Sequence, residues 1–216
     1  MSRCKLELIK KAITKMYSST NRNPVLLIHG IWDTSAIFKP MTAYLNERGL
    51  QVYSLDLIPN DGTIGLEVLA LQIATFIDKT FAPEQPFDLV GFSMGGIVSR
   101  YYVQRLGGIH RVQRFITISA PHYGTLTAYS RALPGYIEMR PGSSFLQDLN
   151  ADVNMLEKIN FTSVWMSYDA MILPAHNSQM PIGKEIKKNV LFHHLMVKDM
   201  KVIQAIAEEL EAPINS

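Results

Sequence analysis

The chain has 216 residues, 47% of them apolar and 19% charged, with a formal net charge of +2. That length and composition exclude a disordered chain and suffice for one sizeable core, while so small a charge, with no basic helix or aromatic-interleaved basic patch, gives no electrostatic ground for nucleic-acid binding. A lone cysteine, Cys4, excludes an intramolecular disulfide.

The opening stretch, "MSRCKLELIKKAITKMYSS", reads as an exposed helix. Its five lysines and arginines leave no uninterrupted apolar segment of the kind an export signal needs. No window holds the 18 or so apolar residues of a membrane span. These features predict a soluble, cytoplasmic protein, with transient contact with a membrane surface compatible. "VLLIHG" after Pro24 is a short continuous apolar run ending in glycine, as in a strand buried on both faces of a parallel sheet. Ile37, Met41, Tyr44 and Leu45 carry helical spacing through 35–48, and Gly49 stops it. "QVYSLDL" is the next strand, and Leu66, Leu69, Ile73 and Ile77 mark the following helix face. "FDLVGF" (87–92) is the third strand, succeeded by a helix through Ile97, Val98, Tyr101 and Tyr102 up to Gly107-Gly108.

"VQRFITIS" (112–119) is the fourth strand, after which the rhythm breaks for about forty residues. It returns with "FTSVWMS" (161–167), a long loop, "NVLFHH" (189–194) read as the last strand, and a helix from about Asp199 to Leu210. Alternating strands and helices predict an α/β fold with a mostly parallel central sheet covered by helices on both faces, whose sites lie at the carboxyl ends of the strands.

Ser93 falls at such an end, inside "VGFSMGGIV". The pattern Gly91-x-Ser93-x-Gly95 alone is weak, arising by chance in roughly one chain in fifteen of this length. Its place between a strand and a helix makes it specific. A nucleophile on so tight a turn needs small residues two before and two after it, and Gly91 and Gly95 provide them. Serine is a poor nucleophile at neutral pH, so a base, an orienting acid and oxyanion donors must accompany it. "LIHGIW" supplies a loop whose Ile31 amide can pair with the Met94 amide as an oxyanion hole. His29 there reads as a structural histidine bracing the loop. Downstream of Ser93, Asp169 is the favoured acid, lying just past a predicted strand. Asp148 and Asp152 fall in the irregular stretch and read as helix-surface or cap residues. For the base the residues leave two alternatives, His193 and His194, which on a strand would point to opposite faces.

With "LIHGIW", "GFSMGG", "ISAPHYGT", "MRPGSSFLQDL", "YDAMILP" and "VLFHHLMVKD" together, residues 24–210 resemble the small bacterial and cyanobacterial class 2 lipases, serine esterases of the α/β-hydrolase fold. The resemblance implies hydrolysis of carboxylic esters, such as a small-molecule or lipid ester, with Ser93 as nucleophile, Asp169 as acid and His193 as base, His194 being the alternative. It implies no cofactor, and no calcium-binding aspartates can be matched, so no metal is expected. Where many lipases continue HG-x-G-G, this chain has Ile31-Trp32-Asp33, and Trp32 there would narrow the acyl pocket or pack on a cap.

Residues 121–160 lie where such folds carry a cap, within a single domain spanning 1–216. Leu126, Tyr129, Leu133, Tyr136, Ile137, Met139 and Phe145 are the expected apolar lining of an acyl site. The same machinery also serves an acyltransferase or a thioesterase, and the fold can persist as a non-catalytic binding protein.

Overall fold

A computed structural model describes residues 22–214; the N-terminal helix expected around Cys4 lies outside the described residues. Six strands, β1 (Val25–Ile28), β2 (Val52–Leu55), β3 (Phe87–Phe92), β4 (Val112–Ile118), β5 (Asn160–Trp165) and β6 (Lys184–Lys187), form one sheet. Their spatial order is β2-β1-β3-β4-β5-β6, and every neighbouring pair is parallel. Parallel neighbours require crossovers, here α1 (Lys39–Glu47), α2 (Leu66–Thr80) and α3 (Met94–Arg105), with α6 (Met200–Glu211) closing the chain.

The period of two along each strand divides the core into two layers. Leu26 and Ile28 of β1 and Phe87 and Leu89 of β3 pack with α2 and α3 through Leu69, Ile73, Ile97 and Val98. Val25, Leu27, Val90 and Phe92 meet Met41 and Leu45 of α1 and Val202, Ile203 and Ile206 of α6 on the other face. Each such side chain, withdrawn from water, contributes about 1.5–3 kcal/mol. This is why "VLLI" is apolar at four successive positions. α6 starts where expected because Asp199 caps it, accepting the Lys201 (2.8 Å) and Val202 (3.3 Å) amides. α1 ends as predicted at Gly49, whose φ of 81° is open to glycine.

The chain passes from β1 outward to β2 and then returns to the other side of β1 with β3. β1 and β3 therefore flank the point where the strand order reverses, the place where open α/β sheets bind ligands. At the opposite end of β3, buried Asp88 accepts from Asn23 Nδ2 (2.9 Å) and pairs with Arg114 (3.0 Å). Burial holds its carboxyl above the usual range, against the lowering effect of Asn23 and Arg114.

One expectation is corrected. "NVLFHH" is not a strand: the last strand is β6, "KEIK", which pairs with β5 from Thr162↔Lys184 to Trp165↔Lys187. His193–Val197 instead form a single 3-10 turn. An edge strand that is mostly exposed needs no apolar run and is protected from wrong pairing by lysines, so it is silent to a hydrophobicity reading. Leu191 and Phe192, which suggested a strand, are 82% and 60% exposed.

The 121–160 stretch, where the alternation of strands and helices breaks, is largely structured. It holds 3-10 turns at Leu126–Ser130 and Val153–Lys158 and helices α4 (Pro134–Glu138) and α5 (Ser144–Ala151). α5 is tied to α3: Arg105 pairs with Asp148 (2.7 Å) and Asp152 (2.8 Å). Buried Arg100 donates to Asn150 Oδ1 (2.8 Å) and the Leu149 carbonyl (2.6 Å).

Candidate active site

Ser93 sits between β3 and α3 with φ 53° and ψ −126°, a conformation costing a non-glycine residue about 1–3 kcal/mol. Its amide donates to the Ile118 carbonyl (2.8 Å) and its own carbonyl accepts from Gly96 N (2.9 Å), which together hold the turn. The need for small flanking residues is directly visible. A Cβ on Gly91 would come 2.6 Å from Gly96 Cα, and one on Gly95 would strike the His29 and Ile28 carbonyls at the end of β1. α3 thus lies against β1 at the distance of backbone on backbone, with its N-terminus, the positive end of its dipole, at Ser93.

The loop after β1 meets the same point. A Cβ on Gly30 would lie 3.0 Å from Ser93 Cβ. His29, fully buried, hydrogen-bonds through Nδ1 to the Gly30 carbonyl (2.8 Å), and Leu57 N donates to its Nε2 (2.9 Å). An acceptor at Nε2 requires the proton on Nδ1, so His29 is a neutral brace, the role read from the sequence. Trp32 N donates to the Asn60 carbonyl (3.0 Å) and Asp33 N to the Gly30 carbonyl (3.3 Å), whereas neither the Ile31 nor the Met94 amide donates a hydrogen bond among the described residues. Two unspent donors therefore flank Ser93.

Asp169 and His193 are brought together. Asp169, 3% exposed, lies in the turn after β5. Its Oδ1 accepts the Met171 (2.8 Å) and Ile172 (3.1 Å) amides, and its Oδ2 is 2.7 Å from His193 Nδ1. An ionised carboxylate only accepts, so that contact places a proton on Nδ1, and in the neutral ring Nε2 carries the lone pair. Nε2 is buried and has no hydrogen-bond partner among the described residues. The imidazole packs on Phe92, the residue before Ser93, with ring centroids 4.9 Å apart. No hydrogen bond joins Nε2 to Ser93 Oγ. Catalytic hydrogen bonds are often long or poorly aligned before substrate binds. His194 is exposed and stacks on Phe192 (6.1 Å, 13°), with no carboxylate partner among the described residues. Of the two imidazoles, only His193 has an orienting acid.

A cavity of about 90 Å³ opens beside Ser93. Of the apolar residues expected to line it, Tyr136 and Met139 do so. Leu126, Tyr129 and Ile137 are instead exposed, and Leu133 and Phe145 pack against the core. Trp32 lines the cavity and also packs on α4, its ring 6.1 Å from that of Tyr136. Thr125, Thr127, Ala128, Met171 and Ile172 also line it. They follow the ends of β4 and β5 at positions where no periodicity distinguishes them, and the sequence reading passed over them.

It also passed over a carboxyl pair, Glu138 of α4 and Glu67 of α2. Glu138 Oε2 accepts the Leu66 amide (2.5 Å). Burial pushes the Glu138 carboxyl up to about 7, the Leu66 bond opposes this, and the Glu67 carboxyl raises it further. A carboxyl raised in the folded state contributes stability that is present below its ordinary value near 4.5 and is lost as pH rises through about 7. Docking of α4 on α2 is therefore expected to be firmer at pH 5 than at pH 8. Glu138→Gln keeps the acceptor for Leu66 and removes the charge. Melting midpoints at the two pH values should fall less steeply with pH in this variant than in the parent, and equal slopes would refute the assignment.

Six parallel strands with Ser93 and the His29-Gly30 loop at the point of strand reversal make this an α/β-hydrolase fold. Solved structures agree. The mature form of Bacillus licheniformis lipase BlEst2 superposes with a TM-score of 0.70 at 16% identity, covering 88% of this chain and 93% of that one. Aspergillus fumigatus lipase B gives 0.72 at 16% identity, covering 89% and 53%. Within that fold, the sequence model of the palmitoyl protein thioesterase family matches residues 24–140, and the chain belongs to that family. The human lysosomal thioesterase PPT2 is 34% identical over 108 residues, 47% of this chain. The chain spans about a third (34%) of the length of that relative.

Proposed function

We propose that this protein is a serine hydrolase of acyl esters and thioesters, with Ser93 as nucleophile, His193 as base, Asp169 as orienting acid and the Ile31 and Met94 amides as oxyanion hole. The observation that carries this reading is the buried His193 Nε2, without a hydrogen-bond partner among the described residues and oriented by a 2.7 Å bond from Nδ1 to Asp169 beside the Ser93 turn. In the proposed reaction Nε2 takes the Ser93 proton as Oγ attacks the acyl carbonyl. Asp169 stabilises the imidazolium, and the two amides hold the negative oxygen. The tetrahedral intermediate collapses, the imidazolium gives its proton to the departing alcohol or thiol, and an acyl-Ser93 remains. Water, activated by the same imidazole, releases the acid.

Family membership favours a thioester leaving group, while "APHYGT" and "MRPGSSFL" keep the oxygen esters of the lipases they resemble as the second substrate class. A thiolate leaves with less help from an acid than an alkoxide does, so one site can serve both. The Leu126–Ser130 turn and α4 would act as a cap over the acyl group. A fluorophosphonate reagent should label the parent at Ser93, fail on His193→Ala and still label His194→Ala. Undiminished labelling of His193→Ala would remove the base from this scheme. Rates on an oxygen ester and a thioester of the same acyl group then rank the two substrate classes.

A further inference from the structure

We infer that the leaving group accepted at this site carries a positive charge close to the scissile bond, and that the Asp33 carboxylate selects it. The inference rests on Ser93 being the nucleophile. Asp33 stands where the HG-x-G-G pattern has its last glycine, so the loop after β1 gains a charged side chain at that position.

The loop fixes where that side chain goes. Asn60 clamps it twice, its carbonyl accepting from Trp32 N (3.0 Å) and its Nδ2 donating to the Asp33 carbonyl. Asp33 N donates in turn to the Gly30 carbonyl (3.3 Å), and Trp32 holds a left-handed φ of 59°. Of these two neighbours, Trp32 lines the acyl cavity and Asp33 does not. A Cβ on Gly30 would meet Ser93 Cβ at 3.0 Å and both Asp33 Oδ2 and Phe92 Cδ1 at 3.4 Å. The carboxylate, the nucleophile and the ring on which His193 packs therefore border one small space.

His193 likewise lies outside the cavity lining. Acyl group and leaving group occupy opposite sides of the reacting carbonyl, and the leaving group departs toward the imidazolium that protonates it. Asp33, facing His193, is thus on the leaving group's side.

The carboxylate is unsatisfied there. Asp33 is half-buried, and among the described residues its carboxylate accepts no hydrogen bond and forms no ion pair. Burial raises its carboxyl above the usual range, while His29, His193, Lys198 and His194 pull in the other direction. None of the four is bonded to it. His29 has both ring nitrogens engaged, His193 Nδ1 is held by Asp169, and Lys198 and His194 are exposed. A partly desolvated anion without a donor is costly, and a cation on the substrate supplies the missing partner. An anionic leaving group meets repulsion instead.

The test uses thioesters of thiocholine, of its uncharged isostere 3,3-dimethylbutanethiol and of 3-mercaptopropionate, each made with a butanoyl and with a dodecanoyl group and assayed on the full chain. The expected order in kcat/KM is cation, neutral, anion, with about tenfold between the first two. Asp33→Asn keeps the shape and removes the charge, and should bring the cation-to-neutral ratio within about threefold. Lys198→Met, at an exposed position, should widen the gap between cation and anion. A change that only loosened the loop would slow all substrates alike, so the ratios isolate the charge. A parental cation-to-neutral ratio at or below one overturns the inference, and labelling of Ser93 by a fluorophosphonate then leaves the hydrolase reading standing. Ratios unchanged in both variants overturn the role given to Asp33. Labelling of Ser93 without turnover of any of these thioesters overturns the inference alone. No turnover together with no labelling overturns the hydrolase reading and this inference with it.

Discussion

Ser93→Ala is expected to lower kcat on the preferred ester by about 10⁵-fold or more, with residual turnover only from binding and the oxyanion donors. The same variant should fold as the parent does, because Ser93 Oγ makes no hydrogen bond among the described residues and its removal breaks none. Alanine keeps the Cβ, so the strain of a φ of 53° is unchanged. The melting midpoint should accordingly stay within the range of a neutral substitution, about ±0.5 kcal/mol in stability. Calorimetry and steady-state kinetics on the two proteins separate these effects. Turnover within tenfold of the parent by a well-folded Ser93→Ala would show that another group carries the chemistry.

Gly95→Ala should damage both fold and activity, for a different reason. The added Cβ meets the carbonyls of His29 and Ile28, which belong to the end of a central strand and cannot rotate away as a side chain would. α3 must back away from β1. Overpacking of this kind costs about 3 kcal/mol or more, which for a chain of this size corresponds to a fall in melting midpoint of roughly 6–12 °C. The shift also separates the Met94 amide from the Ile31 amide, since one rides on α3 and the other on the loop after β1. A displacement near 1 Å at such a site costs about 100-fold in rate. Thermal unfolding and kcat/KM measured on the same preparation give both numbers. A variant as stable and as active as the parent would mean that α3 does not lie against β1 as described.

These two substitutions differ in what they reveal. In the proposed reaction Ser93 would carry chemistry and almost no stability, while Gly95 carries geometry that this chemistry would use.

The sheet was legible in the sequence where its strands are central. "VLLI" and "FDLVGF" are buried on both faces, so their apolar runs announce them, and the structure places β3 at the residues read as a strand. Gly91, Gly95 and the His29-Gly30 pair were legible as well, because backbone contact at the turn forbids side chains whatever the rest of the chain does. β6 was not legible, since an edge strand facing water is under no pressure to be apolar.

Local sequence determined the α/β alternation, the turn that carries Ser93 and the loop that approaches it, since these follow from side-chain period and from steric exclusion within a few residues. Tertiary structure alone decided which of His193 and His194 meets a carboxylate. Both are equivalent in sequence, and only the 3-10 turn that packs one ring on Phe92 and exposes the other distinguishes them. It decided the size of the cavity too, because that volume is what remains between residues from five separate segments, and no periodicity along a single chain encodes the space between them.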